Sequence, residues 1–155
     1  MNNTLKLVIS IVVPQLLGGL GALVTVASIG SWYQSIEKPF FTPPSWVFGP
    51  AWTLLYLMMG LAVYLIWKSQ HPFKKQALVV FIAQLVLNAI WSPAFFGLES
   101  PILGLVIIIP LWVLILICIR LFFPINKIAA YLMIPYILWV SFAMLLNASI
   151  WYLNL

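Results

Sequence analysis

Five long apolar stretches occupy most of this 155-residue chain, and they constrain its fold more than any other feature of the sequence. An α-helix needs about 20 predominantly apolar residues to cross a hydrocarbon core about 30 Å thick. Each stretch meets that length, and a single span can satisfy its own backbone in lipid only as a helix. The sequence therefore predicts transmembrane helices at about residues 5–29, 46–67, 77–96, 102–122 and 128–153.

Composition agrees with an all-α integral membrane protein folded as a five-transmembrane-helix bundle. Hydrophobic residues make up 65% of the chain and charged residues only 6%, which would cover a water-soluble domain with apolar surface. Five spans with short connections use up the length, so residues 1–155 are predicted to form a single membrane domain. The first stretch is too long for the apolar core of a signal peptide. We expect kinks, not helix ends, at the prolines inside the stretches, which are Pro14, Pro93, Pro110 and Pro135.

The basic residues predict how the bundle is oriented. Six of the seven basic residues flank one face of the predicted bundle, and only Lys38 flanks the other. Because basic residues accumulate in cytoplasmic loops, we expect a multi-pass protein of the cell membrane with a cytoplasmic N-terminus and an external C-terminus. This topology accounts for the net charge of +5, so nucleic acid is not an expected partner. The six basic residues at the first face are Lys6, Lys68, Lys74, Lys75, Arg120 and Lys127.

Chemistry that depends on ionisable side chains has little support in the sequence. The chain contains one His, one Cys and two acidic residues, and neither Glu37 nor Glu99 falls inside a predicted span. Paired-carboxylate catalysis, a cluster of metal ligands and a disulfide are therefore not expected. His71 is interpreted as a solvated loop residue and Cys118 as a packing residue. We expect no metal site and no required cofactor.

Aromatic and amide residues recur at helical spacing in three of the predicted spans. Residues three or four apart share one face of a helix, and amides within a bilayer face protein or a cavity rather than lipid. The three stripes are therefore predicted to line an aromatic cavity with a few polar anchors, the usual form of a small-molecule site. The alternative is that they only pack the bundle core. The stripes are Gly49, Trp52, Tyr56 and Gly60; Gln84, Asn88, Trp91 and Phe95; and Trp139, Ala143 and Asn147.

Residues 30–45 form the longest predicted connection, on the face that carries few basic residues. Three prolines stiffen this segment, and Trp32 and Tyr33 add aromatic surface. Because it follows the first span above the predicted cavity, we interpret it as a lid, with Trp32 and Tyr33 as ligand contacts. The alternative is a loop that lies in the membrane interface and uses its aromatic residues as anchors.

Three blocks of sequence carry a more specific signal. They read WYQSIEKPFFTPPSWVFGPAWTLLYLMMGLAVYLIWK, QLVLNAIWSPAFFG and PYILWVSFAMLLNASIWYLN. In the first block, WY, KP, PP, W, GP, W and LY follow one another in that order. This pattern resembles the translocator protein family, also called the tryptophan-rich sensory or peripheral benzodiazepine receptor proteins. The resemblance covers essentially the whole chain and includes the number of spans.

That resemblance implies a five-helix bundle, usually a homodimer, that binds tetrapyrroles such as protoporphyrin IX and haem. It also implies isoquinoline-carboxamide or benzodiazepine-type drugs as ligands. Family contacts carry over onto Trp52, Asn88, Trp91, Trp139 and Ala143. Some bacterial relatives are described as degrading protoporphyrin in light, with tryptophans aligned to Trp52 and Trp139 as the implicated pair. Sterol binding is not expected, because the C-terminal segment lacks the basic residue of the sterol motif.

Three functions are compatible with the sequence. The leading hypothesis is a membrane receptor or sensory protein with porphyrin as its ligand. The alternative is an enzyme that degrades porphyrin in light, with Trp52 and Trp139 as oxidisable rings. A porphyrin or lipid transporter comes third, because neither buried charge nor an internal repeat supports it. Gly18 and Ala22 form a small-xxx-small pair that either contributes to a dimer or permits close packing within one chain.

The orientation is directly testable with reporter fusions. A reporter fused after Leu155 should read as external, and one inserted at Gln70 as cytoplasmic, because the basic residues flank the second site. The measurement is reporter activity of a periplasmic enzyme against a cytoplasmic fluorescent protein at each site. The opposite pattern would overturn the charge argument.

Overall fold

The computed structural model describes residues 2–155, and this part of the chain folds into helices and contains no strand. Five helical segments are long and apolar enough to cross a membrane. The predicted all-α fold with five spans is therefore confirmed, and the chain is a multi-pass membrane protein. The helices are α1 (Asn3–Ile29), α2 (Trp32–Ser35), α3 (Phe48–Trp67), α4 (Lys74–Ser92), α5 (Pro101–Ile125), α6 (Lys127–Leu132) and α7 (Ile134–Leu153).

The fifth span consists of two helices. Met133 separates α6 from α7, immediately before Ile134 and Pro135. Asn126 marks the end of α5 and the start of α6, because its side-chain oxygen accepts the Ala129 N–H at 3.0 Å and caps the new helix. Helix α5 therefore continues past the predicted boundary at residue 122. Of the four prolines expected to kink a span, Pro14 and Pro110 lie within continuous helices, whereas Pro93 follows the end of α4 and Pro135 lies in the first turn of α7.

Pro93 changes the helix geometry at the end of α4. A turn of π-helix, Pro93–Gly97, follows it, and the Leu98 N–H donates to the Pro93 carbonyl at 2.9 Å. Such turns leave carbonyl groups without their usual helical partners, which is costly in lipid. The Ser28 hydroxyl of α1 donates to the Phe96 carbonyl at 2.7 Å. The irregular turn is thus satisfied from a neighbouring helix, and it links α1 to α4.

The core of the bundle lies between α3, α4, α5 and the fifth span, whereas α1 lies at its edge. The side chains of Met59, Ile115 and Tyr136 are completely buried. Helix α1 turns large apolar side chains such as Leu20 and Leu23 away from the core, where they suit contact with lipid. It therefore forms one wall of the bundle, and it packs mainly against α3.

Gly60 brings α3 against the backbone of α1. A methyl group at this position would come within 2.6 Å of the Ser10 backbone oxygen. Backbone atoms cannot swing aside as a flexible side chain does, so the two helices would have to separate. Small residues allow membrane helices to approach in this way, and packing of this kind stabilises them in lipid.

We expect Gly60→Ala to destabilise the bundle by about 1 to 3 kcal/mol, the usual cost of inserting a methyl group into a filled contact. The measurement is the thermal midpoint of the purified protein in detergent. Gly19→Ala is the matched control, because nothing lies within 4 Å of the added methyl group. If both variants melt at the same temperature, the contact between α1 and α3 is not tight.

Candidate functional site

A cavity of about 410 Å³ lies in the half of the bundle that carries the 30–45 loop. Helices α1, α3, α4 and α7 contribute to its walls, together with the first turn after α1. Its volume falls within the usual range for small-molecule sites. The structure places nine of the candidate ligand contacts on its surface: Tyr33, Trp52, Tyr56, Asn88, Trp91, Phe95, Trp139, Ala143 and Asn147.

Two of the candidate ligand contacts do not line the cavity, and neither does Gly60 of the first stripe, which packs against α1 instead. Trp32 packs edge-on against Phe95, with ring centres 5.6 Å apart, and so supports the wall from behind. Gln84 is completely buried one helical turn below Asn88, where its surroundings are the bundle core. The stripe on α4 was predicted as a single binding face, but the cavity ends above Gln84.

Stacked aromatic pairs form much of the wall. Trp52 stacks on Tyr56 with ring centres 5.4 Å apart and planes inclined by 27°. Trp91 stacks on Phe95 at the same separation, with planes inclined by 18°. Both pairs have the i, i+4 spacing that brings side chains together on a helix. The result is a set of flat apolar surfaces held by the helix backbones.

The indole of Trp139 lies on the same wall as Phe48 and Phe142. Its ring centre is 6.2 Å from that of Phe48 and 5.8 Å from that of Phe142. The three rings are inclined to one another rather than parallel, at 73° and 45°. Aromatic residues from α3 and α7 therefore meet around the cavity, although only Trp139 of these three belongs to a predicted stripe.

The indole N–H groups of Trp52 and Trp139, in the cavity wall, have no hydrogen-bond acceptor within residues 2–155. Trp91 donates to the Asn147 side-chain oxygen at 3.4 Å, and the Asn147 amide donates to the Pro101 carbonyl at 2.8 Å. No comparable bond joins Trp52 or Trp139 to the described chain. Because an indole nitrogen can only donate, these rings offer donors to a ligand with carbonyl or carboxylate groups.

Tyr33 closes the loop end of the cavity. Its side chain is 5% exposed and packs against Phe95 and Phe96 at ring separations of 6.5 and 5.5 Å. Burial raises the pKa of the Tyr33 hydroxyl, so this group stays protonated near neutral pH. The Lys38 ammonium lies 5.1 Å from the centre of the ring. Tyr33 is therefore a fixed part of the wall.

Lys38 and Asn154 hold the 30–45 loop in place. The Lys38 ammonium donates to the carbonyls of Tyr33 and Ile36 at 2.7 and 2.9 Å, which folds the loop around itself. The Asn154 side chain accepts the Glu37 N–H at 3.0 Å and donates to the Glu37 carbonyl at 2.9 Å. This pair of bonds ties the middle of the loop to the end of α7. A lid function for the loop stays a prediction.

Helix α1 contributes a wall that the sequence pattern did not reveal. Its lining residues are mostly small, and they include Gly21, Ala22 and Thr25. Apart from Gln15, the residues of this wall carry neither aromatic nor amide groups, so their only signal was the small-xxx-small pair. Gly18 packs directly on the ring of Tyr56, because a methyl group there would overlap that ring. The pair with Ala22 therefore faces the interior of this chain.

A small polar cluster joins α1 to α4 beside the cavity. The hydroxyls of Thr25 and Ser92 are 2.7 Å apart, and both lie within hydrogen-bonding distance of the Gly21 carbonyl, at 3.0 and 2.9 Å. Hydroxyl bonds to a helix carbonyl are a common way to satisfy polar groups in a membrane span. This cluster fixes the distance between the two walls.

Comparison with known proteins identifies relatives along almost the whole chain. Residues 10–153 match the TspO/MBR family. The chain is 43% identical to the tryptophan-rich protein TspO of Archaeoglobus fulgidus, over 98% of this chain and 99% of that protein. It is 34% identical to the tryptophan-rich sensory protein of Cereibacter sphaeroides, over 89% and 88%. It is 36% identical to the translocator protein of Bos taurus, over 89% and 83%.

Proposed function

The chain belongs to the TspO/MBR family, and from that premise we propose that it is a membrane receptor or sensory protein that binds porphyrins in the cavity. The ligand would be protoporphyrin IX, haem or a related flat apolar molecule. The observation that carries the proposal is that residues from four spans and the loop meet around one aromatic cavity. The name of the relative from Cereibacter sphaeroides, a sensory protein, agrees with this class of function.

The chemistry of the wall suits a flat tetrapyrrole. Stacked pairs at Trp52 and Trp91 supply planar apolar surfaces, and aromatic contacts add about 0.5 to 1.5 kcal/mol beyond the burial of area. Trp52 and Trp139 supply indole N–H groups, from which a carboxylate at the edge of the ligand can accept hydrogen bonds. Isoquinoline-carboxamide and benzodiazepine-type drugs combine planar rings with a carbonyl group, so we propose the same cavity for them.

A location, an orientation and an assembly complete the proposal. We propose the cell membrane as the location, with the N-terminus in the cytoplasm, on the strength of the six basic residues at one face. We also propose a homodimer. Because Gly18 packs against Tyr56 of its own chain, the dimer would use another surface than the Gly18 and Ala22 pair.

Loss of a cavity wall should weaken porphyrin binding. We expect Trp139→Ala or Asn88→Ala to reduce the affinity for protoporphyrin IX by about 1 to 3 kcal/mol, because stacking or a buried hydrogen bond is removed. The measurement is a titration followed by quenching of tryptophan fluorescence. Trp151→Ala is the control, because Trp151 lies at the end of α7 outside the cavity wall. Unchanged curves for both cavity variants would leave packing as the only role of these residues.

A light-dependent enzyme is the second candidate, and one observation favours it. Trp52 and Trp139 both line the cavity, where each indole could reduce an excited porphyrin by one electron. That step leaves an indole radical cation and a porphyrin radical anion. The bound porphyrin is thus the reactive pigment, and the protein supplies only the ring that donates the electron. The protein would need to hold the indole of Trp52 or Trp139 close to the bound porphyrin.

Phenylalanine variants separate binding from photochemistry. Trp52→Phe and Trp139→Phe keep an aromatic wall but remove the readily oxidised indole. If the indoles take part, affinity should stay within a few-fold while the light-dependent loss of pigment absorbance slows markedly. Trp112→Phe is the control, because Trp112 bonds to Ser141 and does not line the cavity. Equal pigment loss with wild type, free pigment and all variants would exclude the enzymatic role.

A further inference from the structure

A chain of hydrogen bonds runs from the cavity into the core of the bundle. The Tyr56 hydroxyl donates to the Asn88 side-chain oxygen at 2.6 Å, and the Asn88 amide donates to the Tyr136 hydroxyl at 2.9 Å. The Tyr136 hydroxyl then donates to the Gln84 side-chain oxygen at 2.9 Å. Tyr56 and Asn88 line the cavity, whereas Tyr136 and Gln84 are completely buried. The chain therefore connects the cavity wall to groups that no ligand can touch.

The inner end of this chain determines its direction. The Gln84 amide nitrogen lies 4.0 Å from the Met59 sulfur. A thioether has no hydrogen and can only accept, so the N–H side of the Gln84 amide belongs next to it. The carbonyl side of Gln84 then faces Tyr136 and accepts its hydroxyl hydrogen. Each hydroxyl has one hydrogen to donate. Because Tyr136 donates its hydrogen to Gln84, it accepts from the Asn88 N–H, and the Asn88 oxygen then accepts from Tyr56.

We propose that Gln84 and Tyr136 are positioning residues that commit the hydroxyl hydrogen of Tyr56 to Asn88 and leave the Tyr56 oxygen as an acceptor. The cavity would then favour flat ligands that carry an N–H or O–H group at this point. The hydrogen-bond direction stands independently of any ligand. Only the ligand preference rests on the proposed binding function.

Removal of the Gln84 acceptor should reverse the direction of the hydrogen bonds between Tyr136, Asn88 and Tyr56. In Gln84→Leu the buried Tyr136 hydroxyl loses its acceptor, and an unmade hydrogen bond is costly in the bundle core. Its remaining hydrogen-bond partner is Asn88, so the Asn88 amide should turn and accept from Tyr136. The Asn88 N–H would then donate to the Tyr56 oxygen. The hydroxyl hydrogen of Tyr56 becomes available to a ligand, and the acceptor at this point becomes a donor.

Resonance Raman spectroscopy of tyrosine tests the direction without a ligand. The intensity ratio of the tyrosine ring doublet reports whether a phenol mainly donates or accepts, and a difference spectrum against Tyr56→Phe isolates Tyr56. Wild type should show Tyr56 as a donor, and Gln84→Leu should shift it to an acceptor. If Gln84→Leu does not fold, Gln84→Met replaces it, because its unbranched side chain also lacks a carbonyl acceptor. An unchanged signal in a folded variant would overturn the proposal.

The double variant Gln84→Leu/Tyr136→Phe distinguishes positioning from packing. Without the Tyr136 hydroxyl there is no hydrogen that needs an acceptor, so Tyr56 should return to the donor signal of wild type. A packing defect caused by the Gln84→Leu substitution would instead persist in the Tyr136→Phe background, because the shape of the substituted side chain is unchanged. Persistence of the altered signal in the double variant would contradict the proposal, whereas its loss would support coupling through Tyr136.

A matched pair of probes tests the ligand preference. Indole and benzofuran have nearly the same shape, but only indole carries an N–H. Wild type should bind indole about two- to tenfold more tightly, the range that one net hydrogen bond supplies, and Gln84→Leu should lose or reverse that ratio. Equal ratios in both proteins would overturn the preference. If the Raman signals and probe ratios change as expected but protoporphyrin IX does not bind, the proposed function fails and the positioning role stands.

Discussion

The absence of water inside the bilayer is the constraint on which the rest of this structure depends. Every polar group placed between the spans needs a partner from the protein, because an unmade hydrogen bond costs several kcal/mol in lipid. The Phe96 carbonyl, freed by the π turn, receives the Ser28 hydroxyl. The Pro101 carbonyl receives the Asn147 amide. These bonds join helices that are distant in sequence, so the need to satisfy polar groups also assembles the bundle.

The cavity exists because one of its walls consists mostly of small residues. Helix α1 presents small residues towards the interior, and Gly18 brings its backbone onto the ring of Tyr56. The opposite walls carry large rings whose directions are set by i, i+4 spacing and by contacts such as that of Trp139 with Phe48. Small residues on one side and aromatic residues on the other leave a space between the helices. A bundle with bulky residues along α1 would fill it.

Much of this arrangement could be predicted from the sequence, and the rest depended on features that leave no pattern. The five spans follow from apolar length, and the stripes through Trp52 and Trp139 follow from helical spacing. The depth of Gln84 could not be predicted, because spacing assigns a face of the helix but not where a cavity ends. The wall formed by α1 was missed because small residues also occur wherever two membrane helices simply pack closely, so they do not indicate a cavity. The bonds made by Lys38 and Asn154 depend on how the loop folds.

On the proposed binding function, the chain of hydrogen bonds beneath the cavity gives recognition and folding a common set of residues. Asn88 uses its side-chain oxygen and one N–H on Tyr56 and Tyr136, so it cannot turn towards a ligand without leaving a buried group unpaired. Such a residue is costly to move, and the cavity wall is therefore preorganised before a ligand arrives. The same rigidity narrows what can bind, because a ligand must match donors and acceptors that the core has already fixed. Selectivity in this cavity would then depend on side chains such as Gln84, which lies below the ligand and outside its reach.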